Sequence, residues 1–121
     1  MGSIEAIHHV QIAAPPGSEE AARRFYGSIL GLEEVPKPAN LAGRGGAWFR
    51  GPGAEIHVGI EGDFRPARKA HVALQVRDLT AFRTHLEGQG VATREDEPLP
   101  GYRRFYADDP FGNRLEFLEP V

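Results

Sequence analysis

Asp109-Pro110-Phe111-Gly112-Asn113-Arg114-Leu115-Glu116-Phe117-Leu118 is the stretch whose reading decides the fold. Pro110 presets φ, and Gly112 and Asn113 tolerate the positive φ of a tight reversal, so 109–113 reads as a turn feeding a strand over 114–118. Strand side chains alternate between faces, which puts Leu115 and Phe117 on one face and Arg114, Glu116 and Leu118 on the other. Glu116 is then a mid-strand acid pointing away from the core. Read alone, it is an ordinary solvated glutamate; the rest of the chain supplies its context.

Working outward, His71 opens a strand over Ala70–Val76, with Val72, Leu74 and Val76 on its core face and His71, Ala73 and Gln75 opposite. Asp78 caps a helix carrying Leu79, Phe82 and Leu86, which ends near Gly88 and Gly90. Short strands follow over Val91–Arg94 and Arg104–Ala107, broken by Pro98 to Gly101. The first half of the chain has the same order. Ile7–Ala13 reads as a strand, and Ser18 caps a helix bearing Ala22, Phe25, Ile29 and Leu30 that closes at Gly31. Leu32–Val35, Ala47–Arg50 and Glu55–Ile60 read as three strands, the last with Ile56, Val58 and Ile60 inward and His57 opposite. A glycine-rich loop, 40–46, lacks the spacing of a phosphate-binding motif.

The pattern is an internal repeat of strand, helix and three strands. His71 follows His9 by 62 residues, Glu116 follows His57 by 59, and Phe25 and Phe82 hold the same place in the two helices. The expected fold is α+β: one domain over 1–121, built from two βαβββ modules, 4–61 and 70–119, with curved mixed sheets around a metal-binding cavity. Duplication of this kind places equivalent side chains around one pseudo-two-fold axis, so His9, His57, His71 and Glu116 share the non-helix faces of the first and last strands. Neutral imidazole and carboxylate are good ligands for divalent transition metals, and two His with one carboxylate leave positions open for substrate. His8 has the opposite parity and reads as structural, and His85 as an exposed helix residue.

Composition narrows the function classes. The 121 residues are 40% hydrophobic and 26% charged, enough for one core. A net charge of −3 gives no hint of nucleic-acid binding. The absence of Cys removes disulfides, thiolate nucleophiles and zinc-finger sites. No apolar run suggests a membrane span and no charged-then-apolar leader suggests secretion, so the expected location is cytoplasmic.

With His8-His9-Val10, Phe25-Tyr26-Gly27-Ser28-Ile29-Leu30-Gly31-Leu32, Ala70-His71-Val72 and the closing Asp109 to Phe117, the chain resembles the vicinal oxygen chelate superfamily over nearly its whole length. That group includes glyoxalase I, methylmalonyl-CoA epimerase, extradiol dioxygenases, fosfomycin-resistance thiol transferases and bleomycin-resistance proteins, and the resemblance is to its single-domain bacterial type. It implies paired βαβββ modules whose sheets wrap a metal cavity, and a homodimer with cavity walls drawn from both chains. His9, His71 and Glu116 match the family's His, His and Glu ligands, and His57 stands where glyoxalase I has Glu. His57 is then a fourth ligand or a nearby acid/base, and lactoylglutathione lyase activity loses one of its two carboxylates. The implied cofactor is a divalent ion (Zn, Ni, Mn, Co or Fe(II)), with Glu116 and His57 as the catalytic residues. The implied reaction is Lewis-acid isomerase or lyase chemistry on a small oxygen-chelating substrate. The alternatives are an Fe(II)-dependent dioxygenase and a non-catalytic antibiotic- or metabolite-binding protein. Arg65, Arg68 and Lys69 in the connector read as a solvated linker or as contacts to an anionic substrate. Trp48, Arg103, Tyr102 and Tyr106 read as cavity lining or as core and dimer contacts.

Overall fold

Val10 and Ile12, both β-branched or branched apolar residues, lie in a strand, β1 (Val10–Ala14), that opens the first of two units in the computed structural model, which describes residues 2–121. A helix follows as α1 (Glu19–Ala22) and continues as a wider π-type coil over Arg23–Ile29, where the Leu30 N–H reaches back five residues to the Phe25 carbonyl at 2.8 Å. Gly31, at φ +82°, ends it. Then come β2 (Glu33–Val35), a single 3₁₀ turn at Ala42–Arg44, β3 (Ala47–Gly51) and β4 (Ala54–Ile60). The sheet runs β1-β4-β3-β2, with β1 and β4 parallel and the other pairings antiparallel. A parallel pair needs a crossover, and the helix with β2 and β3 supplies it.

The second unit begins at Arg65 and repeats this order. It contains β5 (Val72–Gln75), α2 (Leu79–Gly88), β6 (Thr93–Arg94), β7 (Tyr102–Asp108) and β8 (Arg114–Pro120), in a sheet ordered β5-β8-β7-β6. The fold is the mixed α+β arrangement expected from the sequence. In the parallel pairs, His57 lies opposite Gln11 and Glu116 opposite Ala73. Ala73 follows Gln11 by the 62 residues that separate the two histidines, so His57 and Glu116 hold equivalent ladder positions.

Each unit buries its own core. In the first, Phe25, Tyr26, Ile29, Phe49, Ile56 and Val58 are almost fully covered; in the second, Leu86, Phe105, Leu115 and Phe117 are. Phe117 packs between Phe82 and Phe105, with ring centroids at 5.1 and 5.3 Å. Each such side chain contributes about 1.5–3 kcal/mol through burial, and truncating Phe117 to Ala would cost about 3–5 kcal/mol. The alternation read at Leu115 and Phe117 holds along β8.

Several boundaries differ from the expected ones. The first strand starts at Val10 rather than Ile7, because pairing with β4 begins only at Val10↔Ile56. The strand expected from Ala70 starts at Val72: the Arg114 N–H is taken by the Ala67 carbonyl at 2.8 Å, so β8 meets the connector before it meets β5. His9 and His71 therefore precede their strands instead of lying within them. Ser18 does not cap its helix through the side chain; its hydroxyl donates to the Pro15 carbonyl. Asp78 does cap α2, accepting the Ala81 N–H at 3.0 Å. In the last turn only Gly112 takes a positive φ. Asn113 serves through its side chain, whose amide donates to Asp109 Oδ2 and whose oxygen accepts the Ala67 N–H, both at 2.9 Å. β7 is longer than expected because it pairs with β8 as far as Tyr102↔Pro120.

Candidate metal and substrate site

In the first unit, β4 alternates Glu55, His57 and Gly59 on the face opposite Ile56 and Val58. Across the ladder, Trp48 of β3 pairs with His57. The indole and imidazole stack with centroids 3.9 Å apart and planes within 3°, and His9 stacks on His57 at 4.0 Å and 16°. His57 is only 4% exposed, whereas His9 is exposed and its Nδ1 lies 2.9 Å from that of His8. His57 Nε2 lies 2.7 Å from Glu55 Oε2, and Arg50 Nε donates to Glu55 Oε1 at 2.9 Å. The hydrogen bonds from His57 and Arg50 hold the Glu55 carboxyl down at about 2. An ionised carboxylate only accepts, so Nε2 carries the proton and a neutral His57 keeps its Nδ1 lone pair for another partner.

The second unit builds a different pair. His71 Nε2 lies 2.9 Å from Glu116 Oε1, and Arg104 Nη1 lies 3.4 Å from Glu116 Oε2. Glu116 is 4% exposed, so it is buried and partnered rather than solvated. His71 Nδ1 lies 2.9 Å from the Lys69 carbonyl. A carbonyl and an ionised carboxylate both only accept, so with both bonds made each ring nitrogen of His71 carries a proton, and a metal would take the place of the Nε2 proton. Anchoring one imidazole nitrogen on a carbonyl or carboxylate is the usual way a metal-binding histidine is oriented. Tyr106 stands edge-on to His71 at 5.7 Å, and the Arg114 guanidinium lies 4.0 Å over the Tyr106 ring.

His9 and His57 thus meet in one unit, and His71 and Glu116 in the other. Among the described residues no group of three or more His, Cys, Asp or Glu side chains gathers at one point. The donor chemistry still fits a divalent transition ion: each pair offers nitrogen or oxygen lone pairs, and His57 and His71 each have their other nitrogen fixed by a second group.

Trp48 shares the His57 stack and also lines a cavity of about 250 Å³ with Gln11, Lys37, Arg44 and Gly59. Arg65, Arg68 and Lys69 are exposed, in a connector whose Ala67 is tied to Asn113 and Arg114. Arg103 lies on the Phe105 side of β7, away from Glu116, and is bound to Glu119. With exposed Tyr102 it borders a cavity of about 620 Å³ beside α2 that none of the four candidate ligands lines. His85 is exposed on α2, as expected.

Glu55 and Arg104 were not singled out from the sequence. The signal for both was parity: Glu55 sits two residues from His57 on one strand face, and Arg104 shares the Tyr106 face of β7.

This chain belongs to the Glyoxalase/Bleomycin resistance protein/Dioxygenase superfamily, whose family description matches residues 6–117. A glyoxalase family protein from Bacillus anthracis is 48% identical, with TM-score 0.96 over 100% of this chain and 99% of that one. At lower identity the fold is shared with FosX, the fosfomycin resistance protein of Listeria monocytogenes, solved with Mn(II) and a dihydroxypropylphosphonic acid. That likeness has 17% identity and TM-score 0.79, over 98% of this chain and 95% of that one. The antibiotic-binding protein TnmS3 from Streptomyces shares the fold at 24% identity and TM-score 0.70, over 98% and 100%. No curated protein matches the chain.

Proposed function

We propose that this protein is a metal-dependent enzyme that binds a small oxygen-bearing substrate through two of its oxygens and carries out isomerase or lyase chemistry. The observation that carries the reading is the equivalence of His57 and Glu116 in the two parallel ladders, each with a histidine, His9 or His71, beside it. His9, His71 and Glu116 are the proposed ligands. His57 is a fourth through Nδ1, since Glu55 occupies its Nε2. A bound divalent ion would supply Lewis-acid stabilisation of developing negative charge on the substrate oxygens.

The chain's own groups do the rest. Glu55 fixes the His57 tautomer, and Arg104 balances the buried charge of Glu116. Glu116 is the side chain placed to hold or move a substrate proton, and His57 takes that role instead of ligation where its Nδ1 stays off the metal. Because the ligands come as two pairs in two units, we propose a homodimer in the cytoplasm; a monomer by light scattering at micromolar concentration would count against the assembly.

A metal-free binding protein is the second reading, because both pairs satisfy their hydrogen bonds internally: His57 with Glu55, and Glu116 with His71 and Arg104. Element analysis of protein purified without chelator or added metal separates the two readings. About one ion per site, lost on Glu116→Ala, is expected of the enzyme. Absence of bound metal, with no uptake from Zn, Ni, Mn, Co or Fe(II), would overturn it. An Fe(II) preference would move the chemistry to dioxygenation.

A further inference from the structure

None of the four proposed ligands lines the cavity beside Trp48. Gln11, Lys37, Leu41, Arg44 and Ile60 line it, with Gly45, Val58 and Gly59 completing the wall. Its floor is made possible by Gly59: the Gln11 amide lies where a β-carbon at 59 would be. Gly46 performs the same service for the loop above, since at φ +83° it packs where a β-carbon would overlap the Val58 carbonyl oxygen. Lys37 Nζ donates to the Gly45 carbonyl, so the lysine is held at the rim.

Charge separates this cavity from an ordinary surface dimple. Arg23 and Arg50 in the same unit are paired with Glu34 and Glu55, but Arg44 has no carboxylate partner among the described residues. Glu19, whose Oε2 accepts the Gly46 N–H at 2.8 Å, also acts on Lys37 through its charge, which leaves Arg44 as the cation without a carboxylate. Two cations, an amide and a flat indole wall thus face a space of about 250 Å³. That is below the roughly 300–1,000 Å³ of pockets that hold a whole ligand, so the space suits one head group.

We propose that Lys37, Arg44 and Gln11 form a subsite for the anionic head group of the substrate, a carboxylate or phosphonate, with Trp48 packing against the adjoining part of the molecule. Guanidinium and ammonium are the side chains that recognise such oxyanions, and the amide N–H₂ adds a neutral donor. The proposal rests on the enzyme reading only in taking the bound group to be part of the substrate, because the subsite itself needs no metal.

Trp48 is the sole tryptophan of the chain, so its fluorescence reports this cavity. The test titrates phenylphosphonate into chelator-treated protein and follows Trp48 emission, with the dimethyl ester as the neutral control. A saturable change is expected for the acid alone. Arg44→Gln and Lys37→Met should each weaken it by about tenfold, the loss of roughly one charge contact. Arg44 is exposed, so Arg44→Gln should keep the wild-type unfolding midpoint even if Lys37→Met loosens the loop. Equal affinity for acid and ester, unchanged affinity in Arg44→Gln, or abolition by Arg65→Gln with Arg68→Gln instead would each overturn the subsite. Metal content is measured on the same variants. Lost anion binding with intact metal binding supports the subsite, and failure of metal binding alone counts only against the enzyme reading.

Discussion

The two units place His57 and Glu116 at one ladder position and surround them with opposite chemistry. Around His57 the neighbours are rings: Trp48 on one side and His9 on the other, with a single carboxylate at the edge. Around Glu116 the neighbours are cations and dipoles, with Arg104 and His71 both engaging the carboxylate. A shared backbone register therefore fixes where a side chain points and leaves its electrostatics open. The first unit holds an imidazole by stacking and orients it by one hydrogen bond. The second buries a negative charge, which it must neutralise to keep.

The harshest way to break the first unit alone is Gly46→Ala. The left-handed φ and the clash with the Val58 carbonyl act together, and the loss should reach about 3–5 kcal/mol in urea unfolding. The same substitution at Gly90, also at positive φ but with open space around it, should cost far less.

The comparison of ligands comes next. If the units are chemically equivalent toward metal, His57→Ala and His71→Ala should each weaken metal affinity by about 100-fold, the upper end of the 10–100-fold range typical of losing an orienting partner. Competition titration against a chromophoric chelator measures this. Full affinity in His57→Ala, with His9→Ala, His71→Ala and Glu116→Ala all impaired, would leave a three-ligand site and give His57 to catalysis or packing.

Glu55→Gln sharpens the contrast at smaller scale. The variant keeps the shape but lets the amide face the ring with either group, so the tautomer is no longer dictated; a loss of about tenfold in metal affinity is expected. Unchanged affinity would mean that stacking on Trp48 alone holds the ring.

The smallest effect concerns Glu19 and pH. The Gly46 N–H lowers its folded pKa below the ordinary 4.5. Its contribution, about 1 kcal/mol for one net hydrogen bond, is complete above 4.5 and disappears as pH falls through the lowered folded value. Glu19→Gln should remove that part of the acid sensitivity of the unfolding midpoint and leave stability close to wild type once the pH lies below the lowered folded value.

Parity made most of this legible. Alternation at Leu115, Glu116 and Phe117, and at Ile56, His57 and Val58, is a property of strands that survives any tertiary context. The repeat was visible because the spacings of 62 and 59 differ only by loop length. Strand starts were less legible, since β1 and β5 begin where partners become available rather than where β-branched residues begin. The Ser18 hydroxyl turned to Pro15, and the widening of the first helix near Phe25, depend on local bonding that composition does not encode. Glu55 and Arg104 escaped because each matters only through the side chain it touches, and that contact is set by the ladder across which it reaches.

The ladders also bear on how copies of this chain can exchange material. Every strand pairing found in the two sheets stays within one unit, and the connector is fastened at Ala67 to the second unit and, just after β4, by the Glu61 N–H to the Ala14 carbonyl in the first. Residues 62–66 are the stretch between these two fastenings. Trading one half between two molecules would therefore break no ladder and would re-route that five-residue tether. Shortening or lengthening that tether is a lever on topology that leaves both sheets unaltered.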